Sequence, residues 1–144
     1  MKPVIYLRIA SLLTLLHAVL HTIGGVFGKP DPGPQQAAVA AMQANQFPLM
    51  GVTRSYWSFY MGLGLAATIC LTIIAIVLWQ LSSLAKTDPC RLRPICMTFL
   101  LAFLLLAVNS SVYFFAAPAI VELLIAICLA MAIFVSRPGA ARRS

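Results

Sequence analysis

Acidic side chains are nearly absent from this sequence: Asp31, Asp88 and Glu122 are the only three among 144 residues. Charged residues of both signs make up 9% of the chain, against about 25% in soluble domains. Histidine is equally scarce, with only His17 and His21. These shortages exclude several classes. A soluble fold is excluded because 62% of the residues are hydrophobic and the mean hydropathy is +0.97. A chain this short has no interior large enough to hide that surface, so lipid must be its solvent. Haem held between two histidines is excluded too. Axial ligands approach from opposite faces of the ring, whereas His17 and His21 lie one turn apart on one helix face. The cysteines Cys70, Cys90, Cys96 and Cys128 show neither the redox nor the zinc spacing and read as free thiols. Ser110 and Ser111 have no glycine elbow and no acid-base partner at a recognisable spacing, which excludes a covalent hydrolase. The net charge of +7 forms no basic patch interleaved with aromatics, so anionic lipid head groups account for it and nucleic acid does not.

What remains is four long apolar runs. The first covers about 4–27 and is too long for the core of a cleavable signal, with no small-residue cleavage site after it. The second covers 55–81, with Tyr56, Trp57 and Tyr60 at one end and Trp79 at the other, as interfacial anchoring requires. The third covers 94–116 and the fourth 118–136, with Pro118 expected to force the break between them. Between the first two lies a polar segment, 29–54. It opens as a turn through Pro30, Pro32, Gly33 and Pro34 and continues as a short Ala-rich surface helix from Gln35 to Asn45. Phe47-Pro48-Leu49-Met50 is expected to return the chain to the bilayer as an apolar re-entry.

Orientation follows from the cations. With the amino terminus inside, Lys2, Arg8, Lys86, Arg91, Arg93, Arg137, Arg142 and Arg143 lie on the cytoplasmic side, and only Lys29 and Arg54 lie outside. Both termini are therefore expected in the cytoplasm.

Polar residues within a bilayer are costly and are functional candidates by default. Here they are His17, His21, Asn109 and Glu122, with Thr14, Ser58, Tyr60 and Tyr113 in the same runs. At 1.5 Å per residue, His21 lies roughly 9 Å, Asn109 roughly 10 Å and Glu122 roughly 6 Å below the outer ends of their helices. Tyr60 matches Glu122 in depth, and Arg54 stands at the outer mouth. The polar groups thus gather in the outer half, while the inner halves of the second, third and fourth helices are aliphatic. Three readings are open. One is a hydrogen-bond network with Glu122 protonated or paired to a histidine or Arg54. Another is a small-ligand pocket open to the outer side. The third is a metal site of His17, His21 and Glu122, although the helix glutamate of the familiar two-histidine motif is missing between them. A proton relay would need a continuation through the aliphatic inner half, which only an oligomer can supply.

The strings Leu15-Leu16-His17-Ala18-Val19-Leu20-His21-Thr22-Ile23-Gly24, Met50-Gly51-Val52-Thr53-Arg54-Ser55 and Phe59-Tyr60-Met61-Gly62-Leu63-Gly64 resemble an uncharacterised family of small bacterial four-helix inner-membrane proteins with an HxxxH motif on the first helix. The resemblance implies a bacterial inner-membrane location and brings no activity. In helix count and size the chain also resembles DoxX-like proteins and sterol-isomerase-like ligand binders. The latter use acidic residues on more than one helix, whereas Glu122 is the single membrane carboxylate here.

The sequence therefore points to an all-α membrane protein in one domain, 1–144. It is read as a four-transmembrane-helix bundle with both termini cytoplasmic and a short extracytoplasmic surface helix after the first span. Its expected role is non-enzymatic: binding a lipophilic small molecule or a partner protein in an outward-facing polar pocket, with membrane lipid around it, no cofactor, and a homo-oligomer as a further association. The expected ligand-binding residues are His17, His21, Arg54, Tyr60, Asn109, Tyr113 and Glu122. The alternative is a metal-dependent membrane enzyme using His17, His21 and Glu122.

Overall fold

With no water to satisfy the backbone, an apolar run can cross lipid only as a helix or within a closed barrel. The computed structural model resolves this choice as helices and describes residues 3–136, so Lys2, Arg137, Arg142 and Arg143 of the orientation argument lie outside the described residues. Helix α1 spans Pro3–Leu20 and runs on into a π-helical segment, His21–Val26. Helix α2 (Pro34–Ala44), strands β1 (Gln46–Leu49) and β2 (Val52–Ser55), and helices α3 (Tyr56–Leu84), α4 (Arg93–Tyr113) and α5 (Ala116–Val135) follow. The stretches Pro3–Val26, Tyr56–Leu84, Arg93–Tyr113 and Ala116–Val135 are long and apolar enough to span a bilayer, which makes this a multi-pass helical membrane protein.

Three local expectations change. The break before α5 lies at Phe114 and Phe115, whose backbone leaves the helix, and not at Pro118, which sits in the first turn of α5. A proline costs nothing there because the first N–H groups of a helix have no intrahelical acceptor to lose. The first span also does not stay α-helical to its end but widens at His21. And Phe47–Met50 is not a re-entry: β1 and β2 pair antiparallel, with Leu49 opposite Val52 and Gln46 opposite Ser55. Met50 (φ 48°) and Gly51 (φ 84°) form the two-residue turn. Two positive φ angles are what match a hairpin turn to the strand twist, and Gly51 adopts one without steric cost. Phe47 then packs on the rings of Tyr56 (5.1 Å between centroids) and Phe59 (6.1 Å) at the start of α3.

The described residues form two compact units: those up to His17 with those from Leu71 to Ser136, and Ala18–Cys70. Helices α1 and α3 contribute to both. In the first unit, buried residues recur at helical spacing: Leu7, Ala10, Ser11, Thr14 and His17 on α1, and Leu71, Ala75, Leu78 and Ser82 on α3. Helix α4 adds Cys96, Phe103, Ala107 and Ser110, and α5 adds Glu122, Ile125, Ala126, Leu129 and Ala132. Many of these are small, which lets helix backbones approach closely, while large side chains such as Leu12, Leu105 and Ile127 are exposed. Ser11 uses that closeness to donate to the Ala75 carbonyl at 2.7 Å. Arg8 lies over the Trp79 ring, 5.1 Å from its centroid. In the second unit, α2 buries none of its residues.

This inverted distribution predicts an inverted mutational response. Ala126→Leu overpacks the interior and costs about 1–3 kcal/mol. Ile127→Ala, at a position 58% exposed, changes stability by less than about 0.5 kcal/mol. Thermal unfolding of both variants in detergent micelles measures the contrast.

Candidate functional site

The first unit contains one buried polar centre. Glu122, 3% exposed, lies on the interior face of α5. Its Oε1 accepts a hydrogen bond from Ser110 Oγ of α4 at 3.1 Å, and His17 Nε2 of α1 lies 3.9 Å from the same oxygen. Oε2 is buried with no hydrogen-bond partner among the described residues. A carboxylate isolated in hydrocarbon needs either a proton or a cation beside it. His17 is the neighbour placed to meet that need. Above it on α1, Thr14 closes its hydroxyl onto the Ala10 carbonyl at 2.8 Å.

The second unit contains a different polar centre, built on the π-helical segment. The wider turn is closed by Phe27 N–H donating to the Thr22 carbonyl five residues back. His21 Nε2 lies 3.1 Å from the Gly64 carbonyl of α3. A carbonyl only accepts, so Nε2 carries the proton there. Tyr60 donates from its hydroxyl to the Gly25 carbonyl at 2.7 Å. The Thr22 and Thr68 hydroxyls meet at 2.9 Å, one donating to the other, while the Ala18 and Gly64 carbonyls are the competing acceptors. Glycine at 64 leaves room for Val26, since a β-carbon there would stand 2.9 Å from Val26 Cγ2 and one of the two would have to shift.

Where the π segment ends, a cleft of about 450 Å³ opens between it, α2 and the start of α3. Val26, Val39, Trp57 and Met61 give it apolar walls, Gln36 and Gln43 are polar, and Lys29 is its one cationic lining residue. A smaller concavity of about 250 Å³ is lined by Leu49, Met50, Val52, Arg54, Ser58 and Phe59.

The expected site residues are thus distributed over separate places. His17 and Glu122 meet in the first unit, while His21 and Tyr60 both engage backbone carbonyls in the second. Arg54 is exposed on β2, donates to its neighbour's carbonyl, and lines only the smaller concavity. Asn109 and Tyr113 lie on the exposed side of α4, and Glu122 is met from that helix by Ser110. Among the described residues, no three His, Cys, Asp or Glu side chains gather as the ligands of a metal ion. Sequence reading passed over Ser110, Thr22, Thr68, Gly64 and the cleft. The one available signal was a hydroxyl within an apolar run, considered at Ser110 only as a nucleophile. Comparison with family models, with curated proteins and with solved structures found no match.

The contact between His17 and Glu122 predicts non-additive stability. His17→Ala is expected to cost about 1–3 kcal/mol, because a buried polar group loses its neighbour. Adding Glu122→Leu recovers part of that loss, since the stranded group is then removed as well. A thermal-unfolding mutant cycle in detergent reads the coupling, and strictly additive losses would mean that the two side chains do not interact.

Proposed function

We propose that this is a protein of the bacterial cytoplasmic membrane that binds a small lipophilic molecule with an anionic head at the outer membrane surface. The carrying observation is the cleft of about 450 Å³ beside the π segment. Its volume falls within the range of small-molecule sites, roughly 300–1,000 Å³, and its make-up of apolar walls with a few polar groups is that of a ligand site. Lys29 supplies the complement to an anionic head, and Val26, Val39, Trp57 and Met61 supply the surface for an apolar body. His21 and Tyr60 act as positioning residues. They hold the π segment through the Gly64 and Gly25 carbonyls, and Val26 at its end forms a wall of the cleft. The role is binding, without a chemical step. Glu122 and His17 form an internal pair outside this site.

The outer placement follows from the cation bias of the sequence: both termini are cytoplasmic, Lys29 and Arg54 face out, and α2 lies on the extracytoplasmic surface over the cleft. Labelling of intact cells with a membrane-impermeant maleimide tests this. Gln43→Cys on α2 is expected to react, while Cys90, exposed in the connection between α3 and α4, reacts only after permeabilisation. The opposite pattern inverts the topology.

Binding is testable through Trp57, one of two tryptophans, after Trp79→Phe leaves it as the single tryptophan, excited at the red edge where the four tyrosines do not absorb. A brominated fatty acid titrated into the detergent-solubilised protein is expected to quench Trp57 saturably. Lys29→Ala weakens the apparent affinity by roughly two- to fivefold, the scale of an exposed charge contact. Val39→Phe, which fills the cleft, weakens it further. Non-saturable quenching, or an affinity indifferent to Val39→Phe, would refute the site.

A further inference from the structure

Within α4, the serine and threonine hydroxyls each find an acceptor. Thr98 donates to the Pro94 carbonyl at 3.2 Å, Ser111 to the Ala107 carbonyl at 2.6 Å, and Ser110 to Glu122. Asn109 finds none among the described residues. It is exposed, and it lies next to Ser110 at the level of Glu122, six residues inside the start of α5. On α4 itself, Asn109 lies four residues before the last, Tyr113, or about 6 Å of helix. An amide with two donor hydrogens and an accepting oxygen thus faces outward from a helix long and apolar enough to span a bilayer, with no hydrogen-bond partner among the described residues.

Asn109 also belongs to a row. Thr98, Leu101, Leu105, Asn109 and Val112 follow each other at steps of three or four and are all exposed, opposite the buried row Cys96–Phe103–Ala107–Ser110. Residues at that spacing form one helix face. The geometry points to this face as the contact surface for a second copy of the same chain, joined by reciprocal hydrogen bonds between the two Asn109 amides. Three physical requirements select a second copy. A side-chain amide is self-complementary, since its N–H donates to the oxygen of an identical group. Copies inserted with the same orientation carry Asn109 at the same depth, so the pairing needs no further adjustment of register. A twofold axis along the membrane normal brings identical faces together and closes the assembly as a dimer. Polar side chains hold helices together in lipid in this way, while the flanking Leu101, Leu105 and Val112 supply apolar packing. The inference is independent of the cleft.

Sedimentation equilibrium of the full chain in neutrally buoyant detergent, over a range of protein-to-detergent ratios, tests it without labels. The wild type is expected to show a reversible monomer–dimer equilibrium. Asn109→Ala weakens the dimer about 5–30-fold, the effect of losing hydrogen bonds worth roughly 1–2 kcal/mol between helices. Asn109→Gln keeps a self-complementary amide and retains most of the affinity. Val112→Trp, on the same row, abolishes dimerisation, and Ile127→Trp, on the exposed side of α5, leaves it intact. A wild type monomeric at every ratio would overturn the proposal. So would an unchanged constant in Asn109→Ala, or a loss on Ile127→Trp equal to that on Val112→Trp.

Discussion

A polar group inside hydrocarbon has no solvent to fall back on, and the structure is arranged around that constraint. Serine and threonine hydroxyls along the spans close onto the carbonyl one turn back, as at Thr14, Thr22, Thr98, Ser111 and Ser136. These bonds make hydroxyls tolerable in lipid without tying helices together. Fewer groups reach across to another helix: Ser11 to the Ala75 carbonyl, Ser110 to Glu122, His21 to the Gly64 carbonyl, Tyr60 to the Gly25 carbonyl, and the Thr22 hydroxyl, which also meets that of Thr68. Helix association in lipid lacks a hydrophobic driving force, so these cross-links and the small residues around them carry the specificity of packing.

The π segment follows from the same accounting. In an α-helix each carbonyl is engaged four residues on, and a side chain from a neighbouring helix competes with that bond. Widening the turn at His21–Val26 shifts the register, as the bond from Phe27 to Thr22 shows, and leaves carbonyls accessible to side chains. Gly25 offers its carbonyl to Tyr60, and the paired glycines Gly24 and Gly25 keep side-chain bulk out of the way. The local irregularity is thereby stabilised from α3, and it ends at the wall of the cleft.

Long spans were legible from the sequence because length and hydropathy alone determine them. The placement of a turn was not. Pro118 looks like a helix breaker, yet it lies where its missing N–H is harmless, and the two phenylalanines before it, which carry no turn signal, make the break. The hairpin was hidden because Met50-Gly51 is a weaker signal than Asn-Gly and Pro48 argues against a strand. Counted from the closing pair Leu49–Val52, Pro48 falls opposite Thr53 at a step of the ladder that demands no hydrogen bond from it. For the polar residues, depth could be counted along each helix, but facing could not. Asn109 and Ser110 are adjacent at one depth, and a rotation of about 100° separates the residue that meets Glu122 from the one that does not.

The enclosed carboxylate and the cleft use their polar groups differently. Glu122 is enclosed, with Ser110 and His17 as its polar neighbours, so whatever balances its charge must come from inside the protein. His21 and Tyr60 instead use their polar atoms on backbone, which fixes the shape of a wall and leaves the adjoining cleft to apolar residues and Lys29. A ligand there would be selected by shape and by one positive charge, with little demand on buried polar groups. Such a site discriminates weakly between close homologues of a lipophilic molecule, because one methylene in an apolar pocket is worth only about 1–3 kcal/mol. Selectivity for the sign of the head group would therefore exceed selectivity for chain length only where Lys29 is itself drawn out of water by the bound molecule.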